Sequence, residues 1–300
     1  MGLRRNWLHL ILLAACWAPS FLFIKLALTG GVPPLAVAAG RVALAAVILA
    51  AVLAFRRQPF PRDAASWRAV APMALLSTAI PFALFSLGER HADSGMAAIL
   101  NGTTPIFTVI LAQVFLHDER LTAQTLTGVL IGFAGILLIF GPEVYASWTS
   151  DLGEESGLSA RALGLAQFTV AGACYGAANV YARRHLRDLP PMVTPTLQMT
   201  MAAAVLLGVT SIAESPLAAR PDAAALGSVV VLGVFGTALA YMLYYPLMVR
   251  TSATFVSLVT YLLPPAGVVL GMVFLAEQPG WHDLIGCALI IVGVAVVNAR

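Results

Sequence analysis

Few side chains in this 300-residue chain could make or break a bond, and their placement rules most such chemistry out. The five histidines, His9, His91, His117, His185 and His282, fall between apolar runs or near their ends, and none forms an H-E-x-x-H pattern. Cys16, Cys174 and Cys287 each lie inside an apolar run at no metal-like spacing, and read as small packing residues. No Asp or Glu sits in the middle of a run, so neither a nucleophile with its base nor a pair of facing aspartates is in view. The chain carries no signature of an enzyme, and neither a metal nor a cofactor is expected.

What the apolar runs do contain is the chemistry of binding. Trp17, Ser20, Phe21 and Ile24 share one helical face, and Thr78, Phe82 and Ser86 share another. Asn101, Thr104 and Thr108 align, as do Tyr175 and Asn179, and Ser257, Thr260 and Tyr261. Thr237, Tyr241 and Tyr244 form a further set, with Tyr241 and Tyr244 the pair that can point together because Tyr244 and Tyr245 are adjacent. Polar and aromatic groups inside apolar helices are costly in lipid and turn toward a neighbouring helix or a wet cavity. Trp17, Ser20, Phe21, Thr78, Phe82, Asn101, Thr104, Tyr175, Asn179, Tyr241, Tyr244, Thr260 and Tyr261 are the expected lining of a substrate cavity.

The elements that must position them are set by the medium. Hydrophobic residues make up 60% of the chain and charged ones 10%, against roughly 25% charged in a soluble domain. Mean hydropathy is +0.88. Such a chain cannot cover itself with polar surface, so lipid is its solvent. Ten spans are expected: Trp7 to Leu28, Pro34 to Phe55, Ala69 to Gly88, Ser94 to Leu116, Thr125 to Phe140, Arg161 to Ala182, Pro191 to Ala213, Ala224 to Met248, Ser252 to Leu275 and Trp281 to Asn298. A polar, acidic connector from Pro142 to Ala160 divides them five and five.

The halves repeat one another. Ala98 to Phe140 reappears as Val256 to Asn298, with Pro105 matching Pro264, Phe115-Leu116 matching Phe274-Leu275, and Glu119, Gly128 and Gly135 matching Glu277, Gly286 and Gly293. Upstream, Ala15-Cys16-Trp17 matches Ala173-Cys174-Tyr175, Arg41 matches Gln198, Phe82 matches Tyr241 and Asn101 matches Thr260. A period this long marks fused half-molecules rather than a solenoid. The expected units are a first repeat over 1–145, an external connector over 146–160 and a second repeat over 161–300. With the N-terminus inside, the inner segments hold Arg4, Arg5, Arg56, Arg57, Arg62, Arg68, Arg120, Arg183, Arg184, Arg187, Arg250 and Arg300, and the outer ones only Arg90, Arg161 and Arg220. Positive residues collect in the cytoplasm, so both termini are expected there. Five is odd, so the second repeat must enter the bilayer the other way up. That is the inverted-repeat plan by which many transporters alternate access to a midplane site.

A proline-bearing span, a short loop with Glu, then Gly at nine and sixteen residues past it, all in duplicate, resembles the EamA-type members of the drug/metabolite transporter superfamily. Within that family the chain is most similar to bacterial inner-membrane exporters of amino acids and related metabolites, notably aromatic amino acids. The resemblance implies a ten-helix bundle of two inverted halves, a small zwitterionic or amphipathic substrate and no nucleic-acid partner. Since smaller relatives build the bundle from two subunits, a fused chain is expected to work as a monomer. Gln198 stands where the first half has Arg41, so any role of that Arg is asymmetric.

Arg41 has two readings, an attractor of a substrate carboxylate or a donor to helix-end carbonyls; Lys25 reads as a side chain reaching for the interface. Pro105 and Pro264 each remove a mid-span donor, and are either fixed kinks or points of flexing. With no mid-span carboxylate, transport down the substrate's own gradient or by exchange is the expectation, with a drug/proton antiporter or a channel as alternatives.

Overall fold

The computed structural model describes residues 2–60, 63–115, 122–149, 160–185, 192–215, 219–250 and 259–298, and these are helical with short connections and no strand among them. The first apolar stretch comprises α1 (Gly2–Trp17) and α2 (Ser20–Thr29). Between them Pro19 cannot donate to the carbonyl one turn back, and the ladder lapses for two residues. α3 (Pro34–Phe55) begins and ends where the sequence places it. Proline suits its first turn, and Arg57, at φ 53°, closes its far end with the Gln58 N–H reaching back to Leu53 O at 3.1 Å.

α4 (Ala64–Ala74) is started by Asp63, whose carboxylate accepts from Ser66 N at 2.7 Å. It passes through a π-helical turn (Leu75–Ala79) into α5 (Ile80–Gly88). The matching stretch of the second half has the same construction: Asp222 caps α11 (Ala223–Gly233), a second π turn (Val234–Leu239) follows, and α12 (Ala240–Arg250) completes it. The sequence gives no warning of either π turn.

Two stretches depart from the expected spans. The fourth stretch is not one helix: α6 (Ser94–Asn101) and α7 (Thr104–Phe115) are separated at Gly102 and Thr103. Pro105 is therefore the second residue of α7, where an N–H has no helical partner to lose, rather than a mid-span defect. α8 (Ala123–Thr149) does not stop at Phe140 but continues through Pro142 into the segment read as connector. One proline deletes one donor, and the rest of the ladder carries on past it. α9 (Ala160–His185), α10 (Val193–Ala213), α13 (Val259–Leu275) and α14 (Trp281–Asn298) complete the chain, with Pro264 inside α13.

Among the described residues, seven stretches are long and apolar enough to cross a bilayer, and two shorter apolar helices, Leu262–Leu275 and Trp281–Val296, accompany them. α9 is long but less apolar, and it packs against α5, α6 and α7. Leu130, Leu137, Val209, Ile212, Val269 and Val273 are exposed on the helix surfaces, where only lipid suits them. The protein is a multi-pass membrane protein.

Packing follows the internal repeat. α3 lies against α10, α6 against α13 and α8 against α14, each joining a stretch to its counterpart; α2 meets α11 as α9 meets α5. Between α8 and α14 the backbones touch: a side chain on Gly293 would come within 2.6 Å of Gly128 O, and one on Gly135 within 2.6 Å of Gly286 O. The glycines nine and sixteen residues past the paired Glu thus permit close helix approach. Glu277 accepts from Ser94 N at 2.7 Å and Gly95 N at 2.9 Å, satisfying two orphan donors at the start of α6. Ala276, at φ 54°, precedes it in the turn. Glu214 does the same for α3, through Leu35 N and Ala36 N. Glu119, the counterpart of Glu277, lies outside the described residues.

Candidate functional site

Each π turn opens a patch of backbone and hydroxyl, and a polar residue from the other half fills it. Arg41, in the first half of α3 and 4% exposed, donates from Nε to Thr237 Oγ1 at 3.1 Å and from Nη2 to Gly236 O at 3.2 Å. The Thr237 hydroxyl in turn donates to Leu232 O, five residues back, at 2.9 Å. Phe82 lies beneath the guanidinium, its ring centroid 4.2 Å from Cζ. Ser20 closes the near side: a side chain on Gly236 would come within 2.8 Å of its Oγ.

The second patch mirrors the first. Gln198, on α10 and fully buried, donates from Nε2 to Ser77 Oγ at 2.7 Å and Thr78 Oγ1 at 2.8 Å. Its Oε1 accepts from the Tyr245 hydroxyl at 2.9 Å, and Tyr241 donates to Ser77 O at 3.4 Å. Residues at matching positions of the repeat, Arg41 and Gln198, therefore hold the π turns of opposite halves. Arg41 is committed to a π turn, and the carbonyl it meets belongs to that turn rather than to a helix end.

Aromatic rings fill the space beside these nodes. Trp17 meets Tyr241 edge-on at 6.4 Å and Tyr244 at 5.5 Å, so the two halves touch through side chains singled out from sequence. Tyr241 and Tyr244 are 6.2 Å apart. Tyr245 joins them, edge-on to Tyr244 at 5.4 Å, although the sequence reading set it aside. Tyr175, the repeat partner of Trp17, belongs to a different stack: it lies against Phe85 at 6.2 Å, which also meets Phe21 at 5.4 Å and Phe168 at 5.7 Å.

The amides are less central. Asn101 ends α6, half-buried, its carbonyl accepting from the Thr104 hydroxyl at 2.8 Å. Asn179 is exposed and donates to Thr108 Oγ1 at 3.2 Å, tying α9 to α7. Thr260 is half-buried at the start of α13; the Tyr261 side chain lies outside the described residues. Pro264 is buried against the break in the fourth stretch, where a side chain on Gly102 would come within 3.0 Å of its Cγ.

The sequence profile of the EamA-like transporter family matches residues 6–141 and again residues 162–299. The chain belongs to that family. Among curated relatives of this EamA-like transporter, an uncharacterized transporter of Archaeoglobus fulgidus is 25% identical over 98% of each chain. A probable terminal-alkyne amino-acid exporter of Streptantibioticus cattleyicolor is 29% identical over 100% of this chain and 95% of its own. The uncharacterized inner membrane transporter YedA of Escherichia coli is 25% identical over 94% of this chain and 87% of its own. A solved crystal structure superposes with a TM-score of 0.68 at 20% identity, covering 98% of this chain and 97% of that one.

One residue of this EamA-like transporter that the sequence reading passed over changes its electrostatics. Glu89 follows α5 directly, in what reads as a loop, yet it is 1% exposed and neither carboxylate oxygen has a hydrogen-bond partner. Burial pushes its carboxyl well above the ordinary carboxylate range, and Glu277 adds to this while Lys25 and Arg41 partly oppose it. Asp93, half-buried beyond it, is raised by burial and by Glu277. Lys25 reaches the ends of two neighbouring spans. Its Nζ donates to Glu89 O at 2.7 Å and Ala92 O at 3.0 Å, holding the turn between α5 and α6. A small cleft lies beside this region, lined by Asp93, Met96, Ile99, Val268, Glu277 and Pro279.

Proposed function

We propose that this EamA-like transporter exports aromatic amino acids, methionine or similar zwitterionic metabolites across a bacterial inner membrane by alternating access. Residues 1–145 and 161–300 act as two inverted five-span halves joined by an external connector over 146–160, in a monomer with both termini cytoplasmic. The observation that carries this reading is the exchange across the repeat boundary: Arg41 holds the second π turn, Gln198 holds the first, and Trp17 meets Tyr241 and Tyr244. π turns cluster at functional sites because they break the helical ladder at a defined point. Here each offers a place where a half can bend while its partner's side chain changes hands. Trp17, Ser20, Phe21, Thr78, Phe82, Asn101, Thr104, Tyr175, Asn179, Tyr241, Tyr244, Thr260 and Tyr261 line the pathway in this reading, and Pro105 and Pro264 flank the break that flexes.

The substrate class rests on rings and hydroxyls that stack on and hydrogen-bond an amphipathic zwitterion, and on the Streptantibioticus cattleyicolor relative, whose name includes amino-acid export. Counterflow in proteoliposomes tests it. Labelled phenylalanine or methionine should enter vesicles preloaded with the same amino acid, saturably, and Trp17→Ala should abolish that entry. Non-saturable flux unaffected by preloading would favour a channel. A second reading, exchange of substrate against protons instead of uncoupled transport, is favoured by the buried, unpartnered carboxyl of Glu89.

A further inference from the structure

Glu89 lies one residue past α5 with its carboxyl turned into the bundle. Both oxygens are buried and unbonded, and so is Ser86 Oγ one turn earlier. Charged groups act on it from three surrounding elements: Lys25 from α2, Arg41 from α3 and Glu277 from the turn between α13 and α14. α9, packed against α5, presents Gly164 O and the uncharged ring of Phe168 at the neighbouring Gly88. In the loop itself Arg90 and His91 are exposed, while Asp93 is coupled to Glu277, Lys25, Arg161 and Asp283. Arg41 is already engaged with Gly236 and Thr237, Lys25 with two carbonyls and Glu277 with two backbone amides. A bare carboxylate here would be buried without the hydrogen bonds that make burial tolerable; a neutral acid would not.

We propose that Glu89 carries the proton of the transport cycle, holding it while the ends of α2, α5 and α6 are closed and releasing it when they part and water enters. The step is loss of one proton from the carboxylic acid to water, leaving a carboxylate; no other bond changes. Lys25 is the counter-charge in waiting. Its ammonium already sits on the carbonyl of Glu89, so pairing with the newly ionised carboxylate takes it from the Glu89 and Ala92 carbonyls and frees the turn between α5 and α6. Proton loss is thereby tied to movement of the helices on either side of that turn. The inference rests on the transporter reading and supplies its energy source.

The test uses the full-length protein in liposomes, with labelled phenylalanine and methionine as probes, comparing wild type with Glu89→Gln. Wild type should accumulate a probe against its gradient when a pH gradient is imposed. Glu89→Gln should lose that accumulation to the level of empty liposomes while keeping counterflow, since the amide cannot ionise but fits the same space. Accumulation that survives in Glu89→Gln, or a wild type indifferent to the pH gradient, overturns the proposal. Infrared difference spectra between acid and alkaline buffer give a readout that needs no substrate: a protonated-carboxyl band present in wild type and missing from Glu89→Gln supports it, and a band unchanged by the substitution overturns it. A wild type that moves neither probe refutes the amino-acid reading, and the infrared band then decides Glu89 by itself.

Discussion

Replacing Gln198 with Leu removes the donor to Ser77 Oγ and Thr78 Oγ1 and the acceptor for Tyr245, all within 2.9 Å, while keeping a side chain of similar volume in a fully buried position. The cost is therefore one of hydrogen bonds rather than of a cavity. Bonds between membrane helices average about 0.6 kcal/mol and reach about 1.7, so three of them amount to about 2 kcal/mol, with a ceiling near 5. On the scaling of soluble domains this lowers the thermal midpoint by roughly 4–8 °C. Tyr245→Phe removes one bond and nothing else, and should lower it by only about 1–2 °C. Thermal unfolding in detergent, followed by helical circular dichroism, gives both values, and counterflow reports whether the first π turn still works. If Gln198→Leu melts with wild type, or if Tyr245→Phe costs as much as Gln198→Leu, the node is not what secures α10 to that turn.

Other outcomes follow from the same geometry. Glu277→Gln weakens the acceptor for Ser94 N and Gly95 N at the start of α6 and should cost about 1–2 kcal/mol, with Glu214→Gln similar at α3; chemical denaturation in micelles checks both. Gly293→Val drives a side chain into Gly128 and Gly132 and should destabilise by about 1–3 kcal/mol or more, whereas Gly227→Ala, which meets nothing within 4 Å, should not. Ala276→Gly relieves a left-handed backbone and should raise stability slightly, by up to about 1 kcal/mol, read as a small rise in the melting midpoint. For Glu89 the sign is set by its raised carboxyl: the folded protein holds a proton that the unfolded chain releases above its ordinary value of 4.5. Wild-type stability should thus fall as pH rises from there toward the folded value, by up to about 1.4 kcal/mol per pH unit, and Glu89→Gln should lack that fall.

The stretches and their repeat were legible because hydrophobic length and punctuation carry them. Pro34 and Phe55 bound α3 as read, and Asp63 and Asp222 cap matching helices. The π turns were not, since an i to i−5 ladder has no residue signature and the polar side chain that meets each one comes from another helix. Gln198 was visible only as a departure from Arg41, and its three partners are 47 to 121 residues away in sequence. Tyr245 was set aside because adjacent residues on a helix diverge; it diverges toward Gln198. Glu89 read as a loop residue because it follows the last apolar position of α5, and its burial comes from the helices folded over it. Trp17, Phe82 and Tyr241 stand out in the sequence because each is a ring inside an apolar run at a position matched by a ring in the other half; in the fold Trp17 meets Tyr241 and Tyr244.

The opposed insertion of the two halves is tested most directly by labelling. Single cysteines at Gln58, after α3, and at Ser215, after α10, stand at exposed equivalent ends of the two halves. With Cys16, Cys174 and Cys287 replaced by Ala, a membrane-impermeant maleimide applied to intact cells should modify the cysteine at 215 and spare the one at 58 until the membrane is opened. Modification of both, or of neither, from the same face would place the halves the same way up and remove the basis for alternating access.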